Sequence, residues 1–150
     1  MFPLSSPLLL TVGTVNSTII HQKDIIVKHL PIRLKRVVPK EVFVGAISSA
    51  LSRKINRQYR KKDRATNVLS FRYSDEYGEI LVCPPVIRAE AKAQNNSFEY
   101  QMTWMILHGI LHLSGLHHEE SKVAEKKFSR IEHKVLKQFL NGPPRHRHRS

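Results

Sequence analysis

The feature that most constrains this chain is a pair of histidines that is followed, three residues later, by a glycine. His108 and His112 are four residues apart, so on a helix they lie on the same face, about 6 Å apart along the axis. That spacing allows two ring nitrogens to bind one metal ion at about 2.0–2.1 Å each. The pair therefore predicts a helix that presents two imidazoles at a single position.

A third histidine can reach the same position only if the helix ends. Six residues beyond His112 a continuing helix would have rotated His118 away by roughly 240°. Gly115 is placed to end the helix, because glycine adopts the left-handed conformation found at helix C-termini. The returning chain can then offer His117 or His118 as a third ligand. Three protein ligands leave a coordination position for water, as in catalytic zinc sites.

A plainer interpretation is that the two histidines are ordinary, partly buried polar residues with hydrogen-bond partners. The glycine and the additional histidine favour the metal site over it. The rest of the helix carries an apolar stripe at helical spacing that predicts core packing. Gly109 on that stripe allows another element to approach closely. The stripe consists of Phe98, Met102, Met105, Ile106, Gly109, Ile110 and Leu113.

The spacing of the three histidines also matches a zinc-protease pattern. That pattern requires a glutamate directly after the first histidine, as the general base for the metal-bound water. Gly109 occupies this position and cannot accept a proton. The missing base is therefore the strongest single argument against a metallopeptidase.

Length and charge limit the remaining possibilities. The chain has 150 residues, one cysteine and a formal net charge of +13, which favours a polyanionic partner. We expect one domain over 1–142, a basic disordered tail over 143–150, and a cytoplasmic location. No apolar run reaches the length of about 18 residues that a membrane span requires.

Periodicity predicts an α+β fold in a single domain, with a small mixed four-stranded sheet covered by helices. The metal site would lie at the end of the histidine helix, which we expect Asn96 to cap with Glu99 as its capping-box partner. Strands are predicted at 8–15, 41–46, 66–71 and 79–82, the last two forming a hairpin. Further helices are predicted at 22–37 with a break at Pro31, 48–59, 86–94 and 119–140.

The histidine stretch resembles the signature of the YbeY family of rRNA-maturation endoribonucleases, His-Gly-x-Leu-His-Leu-x-Gly-Tyr-Asp-His. The matching positions are His108, Gly109, Leu111, His112, Leu113, Gly115 and His118. A second family block, Leu-Asn-x-x-Tyr-Arg-x-x-Asp-x-Pro-Thr-Asp-Val-Leu-Ser-Phe, is similar to 55–71, and a third, Gly-Asp-Ile, to 78–80. The resemblance is clearest over 41–140. The chain departs from the pattern in places: Asn67 and Glu79 each replace an aspartate, and Leu116-His117 replaces the Tyr-Asp pair before the last ligand.

The resemblance implies that His108, His112 and His118 are the metal ligands and that Arg60 is a functional residue near the metal. Zinc is the default ion for three imidazoles, one per chain, although nickel or another divalent ion suits the same ligands. A guanidinium binds phosphate bidentately and stays charged at any working pH.

The implied function is metal-dependent, single-strand-specific endoribonuclease activity in rRNA maturation and ribosome quality control. The expected partners are precursor rRNA and the small ribosomal subunit. An alternative of a different class is a ribosome-associated RNA-binding protein with a structural or vestigial metal site.

Overall fold

The computed structural model describes residues 17–116 and 121–140, with side chains described for 23–116 and 121–138. These residues form six helices and three strands. In chain order they are α1 (Ser17–Lys28), α2 (Ile32–Lys35), β1 (Glu41–Ala46), α3 (Ser49–Arg60), β2 (Val68–Arg72), β3 (Tyr77–Val82), α4 (Pro84–Ala93), α5 (Phe98–Leu113) and α6 (Lys122–Leu140).

The sheet is mixed, with strand order β1-β3-β2. β1 pairs with β3 in parallel, and β2 pairs with β3 as the expected antiparallel hairpin. The prediction of an α+β fold with a mixed sheet is confirmed, but the described residues contain three strands and not four. The additional strand predicted at 8–15 lies outside the described residues.

Alternation along the strands gives the sheet two buried faces. Ile80 and Val82 face the larger core, which contains α5. Leu69 and Leu81 face a smaller cluster that includes Ile55 of α3. The two helices that carry the predicted functional residues, α3 and α5, therefore cover opposite faces of the sheet.

Helix α5 is buried on almost every side, because β2, β3, α1, α4 and α6 all contact it. Six of the seven stripe residues are buried, Phe98 is half-buried against the same core, and burial extends beyond the stripe to Thr103, Leu107 and Leu111. Gly109 permits a close approach to the sheet: a Cβ there would lie 2.9 Å from both Ile80 Cγ2 and Ser70 Oγ. Although α5 is apolar, no helix in the described part of the chain is both long and hydrophobic enough to cross a bilayer.

Local hydrogen bonding confirms one of two predicted helix boundaries and contradicts the residue predicted to cap the other. Pro31 separates α1 from α2 as expected, since it lacks the N–H that a continuous helix needs. The prediction that Asn96 caps α5 was wrong: the Ser97 hydroxyl accepts the hydrogen bond from the Tyr100 N–H at 3.0 Å. The Asn96 amide instead donates to Gln101 Oε1 at 2.9 Å, so its side chain is used elsewhere.

The end of α5 is held by a guanidinium. Arg72 on β2 donates to the carbonyl oxygen of Leu113 in the last turn of α5, and to that of Val37 at 2.7 Å. Its other terminal nitrogen pairs with Asp75 at 2.9 Å. A cation at this position satisfies a carbonyl without an intrahelical partner and complements the helix dipole.

We expect Arg72→Ala to lower the free energy of unfolding by about 2 kcal/mol, the scale of hydrogen bonds that involve a charged group. Urea denaturation followed by circular dichroism measures this. Lys54→Ala, at an exposed position on α3, is the matched control. Equal stability of the two variants would contradict the anchoring role of Arg72.

Candidate metal centre

The histidine pair projects from one turn of α5, as the spacing predicted. The Nε2 atoms of His108 and His112 lie 3.2 Å apart, and the ring centroids lie 4.8 Å apart. Two nitrogens bound at about 2.0–2.1 Å to one tetrahedral ion would stand roughly 3.3 Å apart. The donor atoms of this pair therefore fit a shared metal ion without rearrangement.

Helix α6 contacts the histidine pair through two side chains. The Phe128 ring lies 4.9 Å from the His108 ring and 5.3 Å from the His112 ring, measured between centroids. Glu132, one turn further along α6, places Oε2 at 2.8 Å from His108 Nδ1. A neutral imidazole that donates to this carboxylate through Nδ1 carries no proton on Nε2, the nitrogen that faces His112.

The end of α5 follows the prediction made from Gly115. This residue has φ +87°, and its N–H donates to the His112 carbonyl at 3.1 Å. The Leu116 N–H donates back to the Leu111 carbonyl at 3.1 Å, which completes a Schellman motif. The chain thus leaves the helix axis directly after the histidine pair.

The third ligand stays a prediction. His118 and its neighbour His117 lie outside the described residues. Within 17–116 and 121–140, no group of three potential ligands forms a metal site. The structure brings together His108 and His112.

Arg60 is exposed at the last residue of α3, beside Tyr59, whose ring contacts Phe71 at 5.7 Å between centroids. No hydrogen bond, ion pair or ring contact joins Arg60 to either histidine among the described residues. The nearby carboxylate of Asp63 is bound by Arg53 at 2.8 and 3.0 Å, and these hydrogen bonds hold the pKa of Asp63 below its usual value. The role of Arg60 at the metal therefore stays a prediction.

Arg60 belongs to an exposed basic surface on α3 and the loop that follows it. The cations there are opposed by Asp63 alone among residues 49–64. This α3 basic surface consists of Arg53, Lys54, Arg57, Arg60, Lys61, Lys62 and Arg64.

Two departures from the family pattern have clear local environments. Asn67 donates to Glu90 Oε1 at 2.9 Å, a contact that an aspartate could not make when ionised. Glu79 is fully buried and accepts from the hydroxyls of Tyr73 at 2.5 Å and Tyr77 at 2.8 Å. Burial and the hydrogen bond to Glu79 raise the pKa of Tyr77 above its usual value, so the hydroxyl stays a donor at neutral pH.

Sequence reasoning missed the contribution of Glu132. The residue lies on the apolar stripe of α6, between the buried Phe128 and Val135. An acidic residue at such a position is a signal of a buried carboxylate with a specific partner. Its partner, 24 positions earlier in the chain, was not evident from the pattern.

The fold and the site define a class: a small α+β domain whose central helix carries a His-x3-His pair. The model of the family described as Endoribonuclease YbeY matches residues 14–140. The chain belongs to this family.

Individual relatives agree with this membership. The chain is 39% identical over 112 residues to the endoribonuclease YbeY of Thermotoga neapolitana, covering 70% of this chain and 75% of the relative. It is 38% identical over 111 residues to the Nitrosomonas eutropha protein of the same name, with the same shares covered. The solution structure of TM1509 from Thermotoga maritima is similar in fold, with a TM-score of 0.54 and 27% identity. The match covers 99% of this chain and 97% of that one.

Proposed function

We propose that this protein is a metal-dependent endoribonuclease that cleaves single-stranded RNA during rRNA maturation in the cytoplasm. His108, His112 and His118 would hold one zinc or similar divalent ion. The observation that carries the proposal is the convergence of two imidazole Nε2 atoms to 3.2 Å on a helix that ends at Gly115. Membership of the endoribonuclease YbeY family supports the reaction class.

The chemistry divides between the metal site and the α3 basic surface. When bound, a divalent ion supplies Lewis-acid stabilisation of the charge that develops on the phosphate and lowers the pKa of a bound water. The Nε2 atoms of His108 and His112 lie 3.2 Å apart and face one point, where both would bind the ion once neither carries a proton. Arg60 would bind a phosphate oxygen pair, because its guanidinium has no carboxylate partner among the described residues.

The α3 basic surface accounts for binding of a flexible polyanion. Lysines and arginines that follow a nucleic-acid backbone release counterions and give affinity without sequence readout. Binding to precursor rRNA and the small ribosomal subunit is part of this proposal. Substitution of a lysine or arginine on this surface should lower the affinity for RNA. It should also make that affinity less sensitive to the salt concentration.

The metallopeptidase alternative is weakened by the packing of Gly109. Position 109 faces the sheet, where a Cβ would already lie 2.9 Å from Ile80 Cγ2. A glutamate side chain has no room there, so the general base of the zinc-protease pattern has no equivalent at this position.

A cleavage assay on a single-stranded RNA tests the proposal. Wild-type protein loaded with zinc should cleave, and a chelator should abolish cleavage. Arg60→Ala should reduce the rate by roughly 10²-fold, the scale of one lost transition-state contact. Arg33→Ala, at an exposed position on α2 outside the α3 basic surface, is the matched control and should cleave as the wild type does.

The outcome separates the two classes of function. Unchanged cleavage by Arg60→Ala and by chelated protein would mean that the activity lies elsewhere. Tight RNA binding without any turnover would favour the RNA-binding alternative.

A further inference from the structure

Glu132 is a buried carboxylate in contact with the histidine pair. The residue is 9% exposed, and its Oε2 lies 2.8 Å from His108 Nδ1. Among the described residues no lysine or arginine lies within 4.0 Å of this carboxylate. A carboxylate so removed from water requires a polar partner, and the imidazole N–H of His108 is that partner.

This contact favours one tautomer of His108. Donation through Nδ1 leaves Nε2 without a proton in the neutral ring, so its lone pair faces the Nε2 of His112 at 3.2 Å. The Phe128 ring, one turn before Glu132, packs against both imidazoles at 4.9 and 5.3 Å. One face of α6 thus contacts both imidazoles and restricts the rotation of both rings.

We propose that Glu132 is a positioning residue for the metal site: it holds His108 as the Nδ1–H tautomer, with Nε2 oriented toward the ion. The inference rests on the proposed function, since it takes His108 as a ligand. Carboxylates that accept the second N–H of a ligating histidine orient the ring and strengthen its bond to the metal. Helix α6, which carries neither His108 nor His112, would then contribute directly to metal affinity.

A purely structural role is the competing explanation. The same hydrogen bond also joins α6 to α5, and its loss would lower stability whether or not a metal binds. A test must therefore measure a property of the imidazole and of the metal complex, and must do so in folded protein.

Zinc affinity of the full-length protein provides the first readout, measured by competition with a chromophoric chelator. Glu132→Ala should weaken zinc binding by about 10- to 100-fold. Glu132→Gln should weaken it less, because its amide oxygen still accepts from Nδ1. Glu125→Ala, at an exposed acidic position on α6, is the matched control and should leave zinc affinity unchanged.

The tautomer of His108 provides the second readout and needs no metal. In apo protein labelled with 15N-histidine, the His108 ring should give the NMR pattern of the Nδ1–H tautomer in the wild type and in Glu132→Gln. Glu132→Ala should shift the population toward the Nε2–H form. If Glu132→Ala does not fold, Glu132→Gln and the wild-type tautomer decide the question.

Two results would overturn the inference alone. One is a folded Glu132→Ala protein that binds zinc as tightly as the wild type, and the other is a wild-type His108 that carries its proton on Nε2. A wild-type protein with no stoichiometric zinc binding would instead contradict the proposed metal site, and this inference with it.

Discussion

His108→Ala and His112→Ala will each lose stoichiometric zinc binding and RNA cleavage, with affinity falling by more than the roughly 100-fold that marks the upper range for losing an outer-shell partner. Each substitution removes one of two donor nitrogens that lie 3.2 Å apart, and the remaining imidazole has no second donor from α5. Equilibrium dialysis with metal analysis measures the binding, and a single-stranded RNA substrate measures the rate.

The control for this prediction must separate the site from other histidines in the chain. His133→Ala removes an exposed imidazole from α6 and should change neither zinc stoichiometry nor cleavage. All proteins should carry His146→Gln and His148→Gln, because two histidines in a basic tail can bind zinc weakly. If His112→Ala retained one tightly bound zinc per chain, the pair would not be the metal site.

Gly109→Val is expected to lower the free energy of unfolding by about 3 kcal/mol, the upper range for overpacking a core. A Cβ alone would approach Ile80 Cγ2 and Ser70 Oγ to 2.9 Å, so the larger side chain must force α5 away from the sheet. Alanine is a weaker test, because it recovers about 1 kcal/mol of helix propensity relative to glycine. Urea denaturation monitored by circular dichroism gives the value.

Gly115→Ala is the matched glycine control. Gly115 has φ +87°, and a Cβ at this position would meet no atom within 4 Å, so its substitution strains the backbone without a steric clash. We expect a cost of about 1–2 kcal/mol, the penalty of a left-handed conformation for an L-residue. A smaller loss for Gly109→Val than for Gly115→Ala would contradict the close packing of α5 on the sheet.

Features set by short-range geometry could be predicted from the sequence. The face shared by His108 and His112 follows from helical periodicity, and the end of α5 follows from the conformational preference of Gly115. The break at Pro31 and the hairpin of β2 and β3 are of the same kind. In each case one or two residue types restrict the backbone strongly, whatever surrounds them.

Features that depend on competition between neighbours were harder to predict. Asn96 and Ser97 are both good capping residues, and in the structure Ser97 caps the helix while Asn96 donates to Gln101. Burial of α5 on nearly all sides likewise depends on elements that pack around it. A single apolar stripe did not indicate how many helices and strands would pack against α5.

The site was predictable in part. The two histidines share one face of α5, as predicted. Their contacts with Glu132 and Phe128 join two helices that are distant in the sequence, so the local pattern did not indicate them. Arg60 and His118 rest on the family resemblance. The role of Arg60 at the metal and the assignment of His118 as third ligand stay predictions.

X-ray absorption at the zinc edge is the decisive measurement for the three-histidine site, in full-length protein that carries His146→Gln and His148→Gln. We predict one zinc per chain with three imidazole nitrogens at about 2.0–2.1 Å and one further light-atom ligand. We also predict the loss of this signal in His108→Ala. A zinc shell without imidazole scattering, or one unchanged by that substitution, would show that the metal does not bind at the histidine pair.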